Sequence, residues 1–260
     1  MRARTVCMLG LLAVAAPPVR AQTLAAARDS IRVGRYGAAI AMLSRVPRGD
    51  TAWISAQRAL ARTQALVGRY DDAEGTARKA STAAGGQELL NTLGEILLRR
   101  GRRADAESAF VRADAMHASD SLTARLNVAL ARYDDGDRDA ALRALDRFID
   151  VYNTHADQLT SQQMTAVAIA VEHLGQTNPE LFKDALRAFD RAIALDGGNL
   201  DARDALGEMF LAKYNSADAQ TTFDDALRVN PNDPRALLGA ARRLVFDVQP
   251  GADSLLDRAL

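Results

Sequence analysis

The 260-residue sequence contains a single cysteine, Cys7, three histidines, and aromatic residues at only 5%. One thiol cannot form an internal disulfide, so the chain's stability must come from packing. His117, His155 and His173 belong to no H-E-x-x-H pair, have no cysteine partner, and lack metal-ligand spacing from one another. Glycine loops of the phosphate-cradling kind and a G-x-S-x-G nucleophile elbow are also missing. The residues therefore point to no catalytic centre, no metal and no cofactor. Scarce aromatics argue against a stacking groove for nucleic acid or sugar. Lysine plus arginine, 33 in all, balance 33 acids, which removes the basic footprint of a nucleic-acid binder. Only Lys79, Lys183 and Lys213 are lysines, so the positive charge is nearly all arginine.

Long hydrophobic runs are lacking too. The longest, Val6 to Ala16, is about 11 residues, against the roughly 20 needed by a spanning helix. It follows Arg2 and Arg4, and the stretch ends Val19-Arg20-Ala21 before Gln22. Those are the parts of a secretory signal peptide over residues 1–21. Cys7 lies inside the apolar run and not after a small-residue pair at its end, so it does not have the place of a lipid-attachment cysteine. The expected mature chain is exported, periplasmic or secreted, with no cysteine and no membrane span.

What is abundant is a pattern. Ala39, Ala73, Ala106, Ala141, Ala185, Ala219 and Ala252 recur at intervals of 34, 33, 35, 44, 34 and 33 residues. Such a period is the signature of a solenoid. In the clearest unit, Leu90, Leu93, Gly94 and Leu97 share one helical face by their i, i+3, i+4, i+7 spacing. Gly101-Arg102-Arg103 then interrupts, and Ala106, Phe110 and Ala113 resume the pattern in a second helix. The small residues mark a close helix crossing and Phe110 fills the space beside it. The same arrangement returns as Leu206-Gly207, Phe210, Ala219, Phe223, Ala226 and Pro231.

On these residues the chain resembles the tetratricopeptide repeat family, whose 34-residue pattern runs Trp or Leu, Leu-Gly, Tyr, then Ala, Phe, Ala and Pro. The resemblance implies an all-α, right-handed superhelical solenoid of antiparallel helix pairs. Units of about 22–48, 52–84, 86–119, 120–153, 160–197, 200–233 and an incomplete 234–260 fill the chain. The surplus of the 44-residue interval is assigned to two loops, Asn153-Thr154-His155-Ala156-Asp157 and Gly175-Gln176-Thr177-Asn178-Pro179. Glu172-His173 is expected as an exposed helix pair, and Asp71-Asp72, Asp134-Asp135 and Asp224-Asp225 at turns or helix starts, where the dipole favours acids. Trp53 is expected to fill the core. The last unit leaves Leu255, Leu256 and Leu260 uncovered, so the chain is expected either to continue in a longer protein or to self-associate through this end.

The family lines its concave face with first-helix residues that avoid the core stripe. Here these are Arg58 and Arg62 in the second unit, Glu88, Asn91, Glu95 and Arg99 in the third, Thr123, Leu126, Leu130 and Tyr133 in the fourth, and Asp201, Asp204 and Glu208 in the sixth. They predict a groove running from basic through mixed and apolar to acidic, suited to an extended protein or peptide partner. The clamp of lysines, arginine and asparagines with which one subclass holds chaperone tails is not reproduced, because Glu95 intrudes and the lysines are missing. The expected function is an exported scaffold or adaptor. The alternative is the amino-terminal repeat region of a larger exported enzyme, for example a peptidase, with its catalytic domain beyond Leu260.

Overall fold

The computed structural model describes residues 19–116 and 121–259. Cys7, His117, Leu260 and residues 1–18 of the expected signal peptide lie outside the described residues. Helices follow one another as antiparallel pairs, and no strand occurs among the described residues. The pairs are α1 (Val19–Arg32) with α2 (Tyr36–Leu43), α3 (Trp53–Leu66) with α4 (Tyr70–Ser81), and α5 (Leu90–Arg99) with α6 (Arg103–Ala115). They continue as α7 (Ser121–Asp134) with α8 (Arg138–His155), α9 (Ser161–Leu174) with α10 (Phe182–Leu195), α11 (Leu200–Ala212) with α12 (Ser216–Val229), and α13 (Pro234–Phe246) with α14 (Ala252–Ala259). The all-α solenoid expected from the alanine period is the observed architecture.

The period has a packing cause. Ala39, Ala73, Ala106, Ala141, Ala185 and Ala219 are each 0% exposed, while Ala252, in the last pair, is only partly covered. A methyl at each crossing lets two helices approach, and a larger side chain four residues on fills the gap. Phe110, Phe189 and Phe223 take that role and are fully buried. A Cβ added to Gly94 would lie 2.3 Å from the Phe110 ring, and one added to Gly207 would lie 2.5 Å from Phe223. Gly239, in the following pair, meets the same Phe223 ring at 2.3 Å. One phenylalanine thus fastens α11, α12 and α13 together. Trp53 is buried as expected, with the Arg48 guanidinium 5.6 Å over its ring.

Every pair but the fifth has left-handed backbone in its turn, in five of them five positions before the recurring alanine. Gly34, Gly68, Gly101 and Gly136 supply it, with φ between 73° and 94°. In the sixth pair Tyr214 takes this conformation with φ 60°, and in the seventh the turn holds Val248 with φ 54°. For the β-branched Val248 this backbone is strained by about 1–2 kcal/mol.

The structure corrects three local readings. Of the two loops assigned to the 44-residue interval, the second is a turn over residues 175–178 as expected, but the first is not a loop: α8 continues to His155 and passes into a 3-10 turn at Ala156–Gln158. The apolar face carried on by Phe148, Ile149, Val151 and Tyr152 packs on the core and keeps this stretch helical. After Gly175, Asn178 caps a second 3-10 turn at Pro179–Leu181. Asp71-Asp72 do open α4 and Asp134-Asp135 do sit at the turn that follows α7, though at that helix's carboxy-terminal end, whereas Asp224-Asp225 lie within α12, away from any positive helix end. There arginines compensate instead of the dipole, Arg103 on Asp135 at 3.0 Å and Arg228 on Asp225. Glu172 and His173 are partly buried rather than exposed, and the His173 ring packs edge-on against Tyr133 with centroids 6.2 Å apart.

Gly94→Ala and Gly207→Ala should each lower stability by about 1–3 kcal/mol, since the added methyl overfills a crossing backed by a fully buried ring. Calorimetric melting checks this, and unchanged transitions would show that the crossings are not tight.

Candidate functional site

The first helices of successive pairs face inward, and the array curves far enough to meet itself. Tyr36, at the start of α2, donates a hydrogen bond from Oη to the backbone oxygen of Asn232 at 2.9 Å, and Asn230 Nδ2 donates to Tyr36 Oη at 2.7 Å. Burial pushes the Tyr36 hydroxyl up to about 12, so it stays a donor. Arg62 in α3 reaches Asp201 in α11 at 3.1 Å, although 139 residues separate them. The first two units therefore touch the sixth, at Asp201 in α11 and in the loop that leads into α13.

A half-open cavity of about 780 Å³ lies within this turn. One wall carries Arg28 and Ile31 of α1, Arg58 and Arg62 of α3, and Glu95 and Arg99 of α5. The opposite wall is built from the amino-terminal ends of α9, α11 and α13. Those ends are capped internally. Thr160 and Gln163 form a reciprocal capping box, Asn199 accepts from the Ala202 amide, and Asp233 accepts from the Arg235 and Ala236 amides. Asn199 also donates to Ser161 and Thr165 at 2.7 and 2.9 Å, which binds α11 to α9.

Charge in the cavity is largely paired. Arg235 holds Asp201 at 2.6 Å and Asp204 at 3.0 Å, and Arg58 lies 3.5 Å from Glu88. Burial opposes the charge of Arg235, but Asp201, Asp204 and Asp233 outweigh it and hold the guanidinium above its usual range. Arg235, with Arg62 beside it, holds Asp201 well below the usual carboxylate range in spite of burial. The charge of Asp201, with Glu95, raises Arg62 in turn. Asp204 goes the other way: burial pushes it up to about 7, Arg235 opposing and the neighbouring acids adding to the rise. Among the described residues, Arg28 and Arg99 have no ion-pair partner.

The predicted groove residues divide accordingly. Arg58, Arg62, Glu95, Arg99, Asp201 and Thr123 line the cavity. Asn91 is buried just behind it, donating to Glu95 at 3.2 Å and accepting from Asn127 at 3.1 Å. Leu126 is buried in the core at 3% exposure, and Leu130 packs against that core, because the fourth pair turns these apolar positions toward its neighbours. Tyr133 stands under the Arg138 guanidinium and beside His173, bonded to neighbours rather than free for a ligand. Burial opposes protonation of His173, but Glu172 and the Ile169 carbonyl outweigh it and raise its basicity. Asp204 is buried behind Arg235. Glu208 lies elsewhere, paired with Arg242 at 2.5 Å in an apolar depression bounded by Leu211, Leu238, Val245, Phe246 and Leu256.

The basic-to-acidic gradient of an open groove is thus folded back on itself, with its two ends joined through Arg62 and Asp201. Sequence reasoning missed Arg28, Arg235, Asn199 and Asn230. Asp233-Pro234 gave a signal for Arg235, since a capped helix start places the next side chain at the same inward position as Asp201. Among the described residues no group of three His, Cys, Asp or Glu side chains is placed to hold a metal, and no helix is long and apolar enough to cross a membrane.

No protein-family model matches the sequence, and no curated protein matches it either. Solved structures do. The Cut9–Hcn1 hetero-tetramer of the APC/C aligns with 17% identity and a TM-score of 0.51, over 93% of this chain, which spans only 42% of the length of that one. A tetratricopeptide repeat protein from Parabacteroides merdae aligns with 11% identity and a TM-score of 0.45, over 92% of this chain and 98% of the other. YrrB, described as a TPR protein with an unusual peptide-binding site, aligns with 16% identity and a TM-score of 0.36, over 70% and 89%. The fold is that of the tetratricopeptide repeat.

Asp204 sets a pH dependence. Its folded-state value near 7 exceeds the unfolded carboxylate value, so its protonated form favours the fold and its contribution weakens as pH rises from about 4 to about 7. Asp204→Asn should come closest to the parent near pH 4 and exceed it increasingly up to pH 8, by on the order of 1–3 kcal/mol. Melting curves across that range check the sign, and a variant less stable at pH 8 would contradict it.

Proposed function

We propose that this chain is an interaction scaffold that works outside the cytoplasm and holds a segment of a partner protein in the cavity enclosed by its first helices. The observation that carries this reading is the cavity itself, which draws its lining from several units and sets Arg28, Arg58, Arg62, Arg99 and Asp201 among apolar side chains such as Ile31 and Leu66. Solenoid curvature creates concave surfaces of this kind for binding. A rigid, internally capped wall keeps the ordering cost of binding on the partner's side. Arg28 and Arg99, without carboxylate partners among the described residues, favour acidic side chains in the captured segment. Export is supported by Arg2, Arg4, the Val6–Ala16 run and Val19-Arg20-Ala21.

The test is capture from an envelope extract by the parent and by the Arg28→Glu, Arg99→Glu variant. The variant should fold as the parent does and lose capture several-fold. Equal capture would overturn the cavity assignment, and a chain recovered from cells with residues 1–21 still attached would overturn the exported part. Arg58 and Arg62 are poorer sites for this test, because Arg62 also joins the two ends of the solenoid.

A second reading, self-association, is favoured by a separate surface. Leu238, Val245, Phe246 and Val248 are 45%, 66%, 45% and 92% exposed at the last pair, next to the 81% exposed Tyr214. Sedimentation should then show concentration-dependent dimers that Val245→Asp abolishes. A monomer at every concentration would remove this reading.

A further inference from the structure

The contact between the two ends of the solenoid is more than incidental packing. It joins the turn of the first pair to the turn between α12 and α13, nearly 200 residues away, through three independent features. Tyr36 bonds both Asn230 and Asn232. Gly34, with φ +74°, comes so near that an added Cβ would lie 2.5 Å from Asn232 Cβ. Arg62, bound to Asp201, extends the contact across the cavity and into the Arg235 network. Gly68 has the same turn conformation, φ +77°, yet an added Cβ there would meet nothing within 4 Å. The close approach is therefore specific to the first unit and not a general property of these turns.

Closure has a consequence for the interior. It fixes the spacing of the cavity walls, because Arg62 on one wall and Asp201 on the other are bonded to each other. In the closed state Arg62 and Asp201 also occupy each other, so neither is offered to a partner. We infer that units one, two and six form a latch, and that its release is the step that opens the interior and frees these two charges. The inference rests on the proposed function only for what the opening admits, the latch itself being a property of the fold. Both partners of the Arg62–Asp201 pair are about a third to two fifths exposed, so salt weakens that part of the latch. The Tyr36 bonds and the Gly34 contact do not depend on charge, so salt loosens the latch without abolishing it.

The experiment measures the distance between spin labels on cysteines introduced at Ala41 in α2 and Thr221 in α12, both exposed, in the full chain with Cys7→Ser. The parent at low salt should give one narrow distance. Tyr36→Phe combined with Gly34→Ala should lengthen and broaden it, and so, to a lesser degree, should 1 M salt in the parent. Gly68→Ala, which imposes the same backbone strain without touching the contact, should leave the distribution as in the parent. A double variant that keeps the parent distance would overturn the latch, and so would a parent that is already broad at low salt or a Gly68→Ala chain that opens as far as the double variant. Partner capture by the arginine variants is read separately, so failure of the binding reading leaves these distances unaffected.

Discussion

Everything in this molecule depends on how closely two helices can cross. The first six pairs are each held by an alanine with no exposed surface, in five of them with a larger side chain one turn later, and glycines on the facing helices make room for the Phe110 and Phe223 rings. The ring of Phe223 lies against both Gly207 and Gly239, so the same contact that closes one pair seats the next. Burying such a ring stabilises by roughly 1.5–3 kcal/mol, and repetition turns that local gain into a continuous core. Because each unit packs on the next, the array accumulates curvature, and that curvature brings the first two units to the sixth.

Electrostatics then works inside a space that packing created. Asp201 and Asp204 are three residues apart on one helix, yet one carboxyl is held well below the ordinary range and the other is raised to about 7. The difference is partnership: Asp201 lies between Arg235 and Arg62, whereas Asp204 is buried with a single guanidinium beside it and other acids nearby. Most cavity arginines are committed to such pairs. That leaves Arg28 and Arg99 to define what chemistry a visiting chain would meet.

Much of this was legible residue by residue. The alanine period identified the helix pairs, the Leu-Gly and Ala-Phe-Ala sets identified the crossings, and first-helix positions such as Arg58, Arg62, Glu95, Arg99 and Asp201 do face the interior. Leu126 and Leu130 were misplaced because helical spacing shows which residues share a face but not which neighbour that face meets. The extension of α8 to His155 was hidden for a related reason. Polar residues such as Asn153 and Thr154 signal a loop locally, while Phe148 and Tyr152 hold the helix through contacts with distant residues.

The sequence by itself determined the unit, because a crossing needs small residues at fixed spacing and nothing else in the chain need be known. It also determined the absences: too few thiols for a disulfide, no catalytic motif, no long apolar span after residue 21. Only the tertiary structure decided that the array closes, that Arg62 meets Asp201 across 139 residues, and that the groove is a cavity rather than an open track. The physical reason is that closure depends on the small angle between adjacent units summed over the whole array, and no single repeat carries that sum.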